Sequence, residues 1–154
     1  MLTKMISEQN AVLRQQMQRT TYKHAKQKIK TDIVKVATWN SNGLQQRALE
    51  TKTFLYNNNI DILLVSETHF TSKSHMKVPY YIIYDTKYRS GKAHGETVVI
   101  IRNNIKHHLH SQVSKEYTQA TTVTIQTSSN HIQLSAVYVP SRHKITSQMW
   151  EEYF

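Results

Sequence analysis

Hydrophobic and polar positions change rhythm near Thr31. Before it, Leu2, Met5, Ile6, Val12, Leu13 and Met17 follow a broken 3,4 spacing among Gln, Arg and Lys, which favour helix. The stripe ends at Met17, so residues 18–30 are expected to be a loosely helical or disordered basic linker. After Thr31 β-branched runs begin. Residues 33–39 predict a strand. Residues 45–58, with Leu49, Phe54 and Leu55, predict a helix stopped at Asn57-Asn58-Asn59. Residues 61–67 form an almost continuously apolar strand, the mark of burial on both faces. Strand, helix and strand over this length make one βαβ unit, with parallel strands and a right-handed crossover.

The rest is β-rich. Residues 80–84 and 96–102 predict strands joined by a polar loop with Gly91 and Gly95. Residues 121–127 alternate through Val123 and Ile125, Ser128-Ser129-Asn130 reads as a turn, and residues 131–139 return as the second arm of a hairpin ended by Pro140. Ile145, Met149, Trp150 and Phe154 begin a further amphipathic helix. The pattern divides the chain into a leader, 1–31, and an α/β region, 32–154.

A length of 154 residues fits one domain, with a hydrophobic fraction of 38% that is low for its core. The absence of Cys excludes disulfides, zinc–thiolate sites and cysteine nucleophiles, and fits an intracellular protein best. No apolar run approaches a membrane span, and the N-terminus lacks the apolar core of a signal peptide. The formal net charge of +10 favours an anionic partner, nucleic acid first among them. Most of it sits in the leader, where Lys4, Arg14, Arg19, Lys23, Lys26, Lys28 and Lys30 stand against Glu8 alone. Three readings of the leader stay open: a solvated arm, a phosphate-contacting arm, and a mitochondrial presequence, for which it is acid-poor but not Ser-rich.

Parallel strands end on one edge of a sheet, where open α/β sheets bind ligands. Asn40 ends the first strand and Glu67 the second, so the two are expected close together; Tyr138 ends a third apolar strand. A carboxylate suits a hard cation, and an amide and a phenol suit phosphate oxygens. Each residue also has an ordinary structural role open to it. Glu67 can cap a loop, Asn40 and Asn42 beside Gly43 can make a turn, and Tyr138 can be core with a satisfied hydroxyl. His94 reads as a loop histidine. His107, His108 and His110 look like a metal tract, but on a strand His107 opposes the other two, so they read as a polar edge.

Taken in order, Thr38-Trp39-Asn40-Ser41-Asn42-Gly43, Ser66-Glu67-Thr68-His69, Ser90-Gly91-Lys92-Ala93-His94-Gly95 and Ala136-Val137-Tyr138-Val139-Pro140 resemble the endonuclease/exonuclease/phosphatase superfamily. More narrowly, they resemble the apurinic-type endonuclease domain of jockey-like non-LTR retrotransposons, from Ile33 to about Phe154. The resemblance implies an α/β fold, a four-layer sandwich of two sheets with helices outside, here its N-terminal half. It implies Mg²⁺ (or Mn²⁺)-dependent hydrolysis of DNA as target-site nicking, in the nucleus, by a domain linked in the full-length parent to a reverse transcriptase. It casts Glu67 and Asn40 as metal residues and, with Tyr138, as the catalytic group, Tyr138 touching the scissile phosphate. Asn42, His69 and His94 become substrate contacts. In the family an aspartate takes the proton of a metal-assisted water and a histidine stabilises the transition state.

The chain departs from that pattern in two places. Gly95-Glu96 stands where paired glycines are usual, so Glu96 is expected to enlarge and acidify the turn. The Gly-Asp-Phe/Leu-Asn and Ser-Asp-His segments that would supply the base, a second asparagine and the histidine are not found. The chain alone is therefore expected to cleave poorly, and Ile82, Val98, Ile100, Val123, Ile125, Leu134 and Val137 are expected to leave apolar faces partly open. Two alternatives stand beside this reading: a non-catalytic basic nucleic-acid-binding remnant, and a DNA-repair endonuclease or phosphatase of the same superfamily.

The charge split makes a first prediction. Each phosphate neutralised contributes about −0.9 to the slope of log K against log salt. Deleting residues 1–30 should flatten the slope of DNA binding; an unchanged slope would show that the leader makes no phosphate contacts.

Overall fold

A computed structural model describes residues 33–88, 90 and 93–151. The expectations for the leader, and for Phe154 at the end of the last amphipathic stretch, lie outside the described residues. The elements are β1 (Val36–Asn40), α1 (Ala48–Asn57), β2 (Ile62–Ser66), β3 (Tyr81–Thr86), β4 (Thr97–Arg102), β5 (His107–Lys115), β6 (Thr118–Gln126), β7 (His131–Tyr138) and α2 (Ser147–Glu151). They form a mixed α/β fold with two sheets, ordered β1-β2-β4-β3 and β5-β6-β7.

β1 and β2 are parallel, with Asn40 opposite Ser66, as the βαβ reading requires. β4 runs antiparallel between β2 and β3. Its side chains alternate between two cores. Val98 and Ile100, with Leu63 and Val65, face Leu55 of α1 and the Phe70–Val78 loop region. Val99 and Ile101, with Ile62, face Val123, Ile125 and Ala136 of the second sheet. Val98, Ile100, Val123 and Ile125 are therefore buried. This corrects the expectation of open faces: β4 finds both of its neighbours within the described residues, and the β5–β7 meander covers the sheet. Ile82 alone of that group is exposed, while Leu134 and Val137 are half-buried.

Polar contacts fix both ends of β4. At its C-terminal end Arg102 Nε lies 3.0 Å from Asp61 Oδ1, both side chains being 6% exposed, a charge contact without an aligned hydrogen bond. Arg102 also donates to Ile60 O at 3.2 Å, and Asp61 Oδ2 accepts the Lys35 N–H at 3.0 Å. The guanidinium lies 5.3 Å over the Tyr81 ring, and burial pushes the Tyr81 phenol up to about 12. At the N-terminal end the hydroxyls of Thr97 and Thr86 meet that of Thr121 at 2.8 and 2.7 Å and tie the two sheets together.

Some boundaries move. Residues 33–35 precede β1, and Ile33 is exposed. Residues 44–47 turn before α1 begins. Leu49 and Phe54 do not reach the core; with Thr38 and Trp39 they line an open groove of about 840 Å³. β5 is a strand that the hydrophobic pattern did not predict, and His108 and His110 are exposed on it, while His107 is half-buried, a polar edge as read.

Removing one member of a buried ion pair strands the other charge, at about 3–5 kcal/mol. Asp61→Ala should lose that much stability in chemical denaturation, and much of the loss should return in Asp61→Ala/Arg102→Met. A loss near zero in the single variant would show that the pair does not hold β4.

Candidate active site

β1 and β2 end side by side, and the chain beyond them is stitched by backbone. Ser41 N–H donates to Ser66 O at 3.0 Å, Gly43 N–H to Glu67 O at 2.8 Å and Leu44 N–H to Thr68 O at 3.0 Å. The Ser41 hydroxyl donates to Glu67 O at 3.1 Å. Asn40, exposed at the end of β1, and half-buried Glu67 thus belong to one hydrogen-bonded edge. Thr68 N–H donates to Glu96 O at 3.3 Å, bringing the turn before β4 to the same place. Tyr138, at the end of β7, packs on that turn: a Cβ built on Gly95 would lie 2.0 Å from its ring.

The backbone here is strained. Asn42, Glu67, His69 and Glu96 have φ of 43, 52, 53 and 40°, a region that non-glycine residues rarely adopt, beside Gly43 at 101° and Gly95 at 146°. Such residues cost of order 1–3 kcal/mol each and gather where geometry serves function. The extra bonds of Ser41 and Gly43 hold them in place.

The electrostatics point inward. Desolvation raises the Tyr138 phenol above its usual value, the Glu67 and Glu96 charges raise it further, and Arg142 opposes them. Tyr138 is therefore a protonated hydrogen-bond donor at neutral pH. Glu96 does not enlarge the turn as expected. Its side chain is fully buried and folds back, Oε1 accepting the His94 N–H at 2.6 Å and Oε2 the Gly95 N–H at 3.0 Å. Burial raises its pKa, while those bonds and the nearby His69 and His94 lower it. The exposed His69 lies beside Gly43, and the exposed His94 lies against Tyr88, the rings tilted by 43° with centroids 4.3 Å apart. The salt bridges among the described residues engage Glu50, Asp85 and Asp61 and leave Glu67 out.

No protein-family model matches the chain. Over 107 residues it is 32% identical to the RNA-directed DNA polymerase from mobile element jockey of Drosophila melanogaster, an alignment covering 70% of this chain and 12% of that protein. To the jockey polymerase of Drosophila funebris it is 31% identical over 121 residues, 79% of this chain and 13% of that one. The structure superimposes on an AP endonuclease from Leishmania major with a TM-score of 0.57 at 17% identity, covering 78% of this chain and 44% of that one. Over this region the chain is similar to jockey-like retrotransposon polymerases, and it shares the fold of the AP endonuclease.

The chain thus spans about an eighth of the length of these jockey relatives. Of the residues singled out from sequence in this jockey-like chain, Asn40, Asn42, Glu67, His69, His94 and Tyr138 all lie on the two strand-end loops, the Glu96 turn or the end of β7. Sequence reasoning missed Gly95 as the seat of Tyr138, Glu96 as a cap, and Arg142 as a charge acting on the phenol. A Gly at the foot of a strand is a weak signal, and nothing in the pattern reveals that a Glu folds inward.

The proximity of Glu67 and Tyr138 is testable without substrate. Removing the Glu67 charge takes away one of the influences raising the phenol pKa, and desolvation remains. Glu67→Gln should lower the Tyr138 midpoint, with desolvation still holding it up, as followed by NMR of ¹³C-labelled tyrosine. An unmoved midpoint would separate the two groups.

Proposed function

We propose that this region binds DNA and carries the metal- and phosphate-facing part of an endonuclease that hydrolyses phosphodiester bonds with Mg²⁺ or Mn²⁺. In a full-length parent it would be joined to a reverse transcriptase, and nicking of genomic DNA would place it in the nucleus. Among the described residues no helix is long and apolar enough to cross a membrane. The observation that carries the reading is the meeting of Glu67, Asn40 and the protonated Tyr138 phenol on one backbone-stitched edge.

The donors suit the ion. Glu67 and Asn40 offer hard oxygens, and Mg²⁺ is commonly held by one or two carboxylates, substrate phosphate and several waters. When bound, the ion supplies Lewis-acid polarisation and an acidified water. Glu67 would offer its carboxylate oxygens to the ion, the Asn40 amide would orient, and the Tyr138 hydroxyl would donate to a phosphate oxygen. Asn42, His69 and His94 offer polar groups for the flanking DNA strand.

A second reading is binding without turnover, and one observation favours it. Both described aspartates are engaged in ion pairs: Asp61 is buried against Arg102 before β2, and Asp85 lies 3.3 Å from Lys87. The chain alone should therefore bind DNA and nick a supercoiled plasmid weakly at most. Any Mg²⁺-dependent nicking should fall about a hundredfold or more in Glu67→Ala, with binding kept. Binding with no metal-dependent nicking establishes the second reading, and robust nicking by the Glu67→Ala protein removes Glu67 from the site.

A further inference from the structure

Glu96 stands where three segments of the site meet. Its side chain is fully buried, and the salt bridges among the described residues do not include it. A buried carboxylate needs compensation. Here it comes from two amides of its own turn, His94 N–H on Oε1 at 2.6 Å and Gly95 N–H on Oε2 at 3.0 Å. Its main-chain oxygen accepts the N–H of Thr68, the residue after Glu67, at 3.3 Å. Its own φ of 40° and that of Gly95, 146°, are conformations the turn keeps only while something holds it. Against that turn lies the Tyr138 ring, so close that a Cβ on Gly95 would fall 2.0 Å from Cε1 and 2.3 Å from Cδ1.

We infer that Glu96 is a positioning residue for Tyr138: by gripping the His94 and Gly95 amides it fixes the glycine backbone on which the phenol ring is seated, and its carbonyl joins that seat to the Glu67 loop. Both carboxylate oxygens are occupied by amides, so Glu96 acts through the turn rather than as a ligand. Charge-assisted bonds to backbone N–H groups are among the stronger hydrogen bonds, which suits a clamp on a strained turn. Gly95 is the necessary counterpart, since any side chain there would displace the ring.

The inference rests on the proposed function only in naming Tyr138 a phosphate contact, and the experiment separates the two. The full 154-residue chain, labelled with ¹⁵N and with ¹³C-tyrosine, is compared with Glu96→Ala and Glu96→Gln without DNA. In Glu96→Ala, exchange of the His94 and Gly95 amides should accelerate about tenfold or more. The nuclear Overhauser contact between the Tyr138 ring and the Gly95 α-protons should be lost, while the β2 and β4 amides keep their protection. In Glu96→Gln one acceptor oxygen remains, so one amide should stay protected and the contact should weaken without vanishing. Freed amides with an unchanged ring contact would overturn the inference in either variant, which keeps the test valid if Glu96→Ala does not fold. Binding of a short DNA duplex is then measured on the same samples. A displaced ring with unchanged DNA affinity upholds the positioning role and removes Tyr138 from the phosphate contacts.

Discussion

β4 has sheet neighbours on both sides and a core on each face. In a strand so placed, a slip of one residue would exchange the two sets of side chains and send Val98 and Ile100 to the wrong core. Apolar burial alone discriminates weakly here, because both sets are Val and Ile. The register is therefore set by what cannot slip: the Arg102 charge at one end, which requires Asp61, and the Thr97 hydroxyl at the other, which requires Thr121. Between these pins the two sheets take their relative position.

The site inherits that register. Glu96 immediately precedes β4, so the place of its turn is decided by the strand rather than by the loop. The Asn40 and Glu67 segments reach it through main-chain bonds, Gly43 to Glu67 and Thr68 to Glu96. A chain of backbone contacts thus runs from the core to the phenol of Tyr138. It explains how non-glycine residues at positive φ persist at this edge: each is flanked by bonds that over-determine the loop.

The sequence made much of this legible, for reasons that differ by element. The continuous apolar run of β2 and the βαβ spacing told parallel pairing, which placed Asn40 and Glu67 on one edge. The resemblance in ordered motifs brought Tyr138 to the same set. β5 was illegible because only Leu109 and Val113 punctuate a polar stretch, and a strand with one face to solvent needs little more. Leu49 and Phe54 helped to signal α1, yet they face the groove rather than the core, since Thr51 and Leu55 occupy the buried positions. The inward fold of Glu96 was hidden because its partners are amides, which every residue possesses. The closure of the second sheet over β4 was hidden because pairing between distant strands leaves no local mark.

β1 has a different consequence. Among the described residues it is a border strand with β2 as its sole neighbour, and its side chains alternate between exposed and half-buried. Local opening begins at such borders, whereas β2, enclosed between β1 and β4, opens only with the body of the protein. Asn40, which ends β1, and Glu67, which follows β2, therefore share one edge while their strands are enclosed to different degrees. The Ser41–Leu44 bonds to the end of β2 and the segment after it are what ties the less enclosed half of this edge to the more enclosed one.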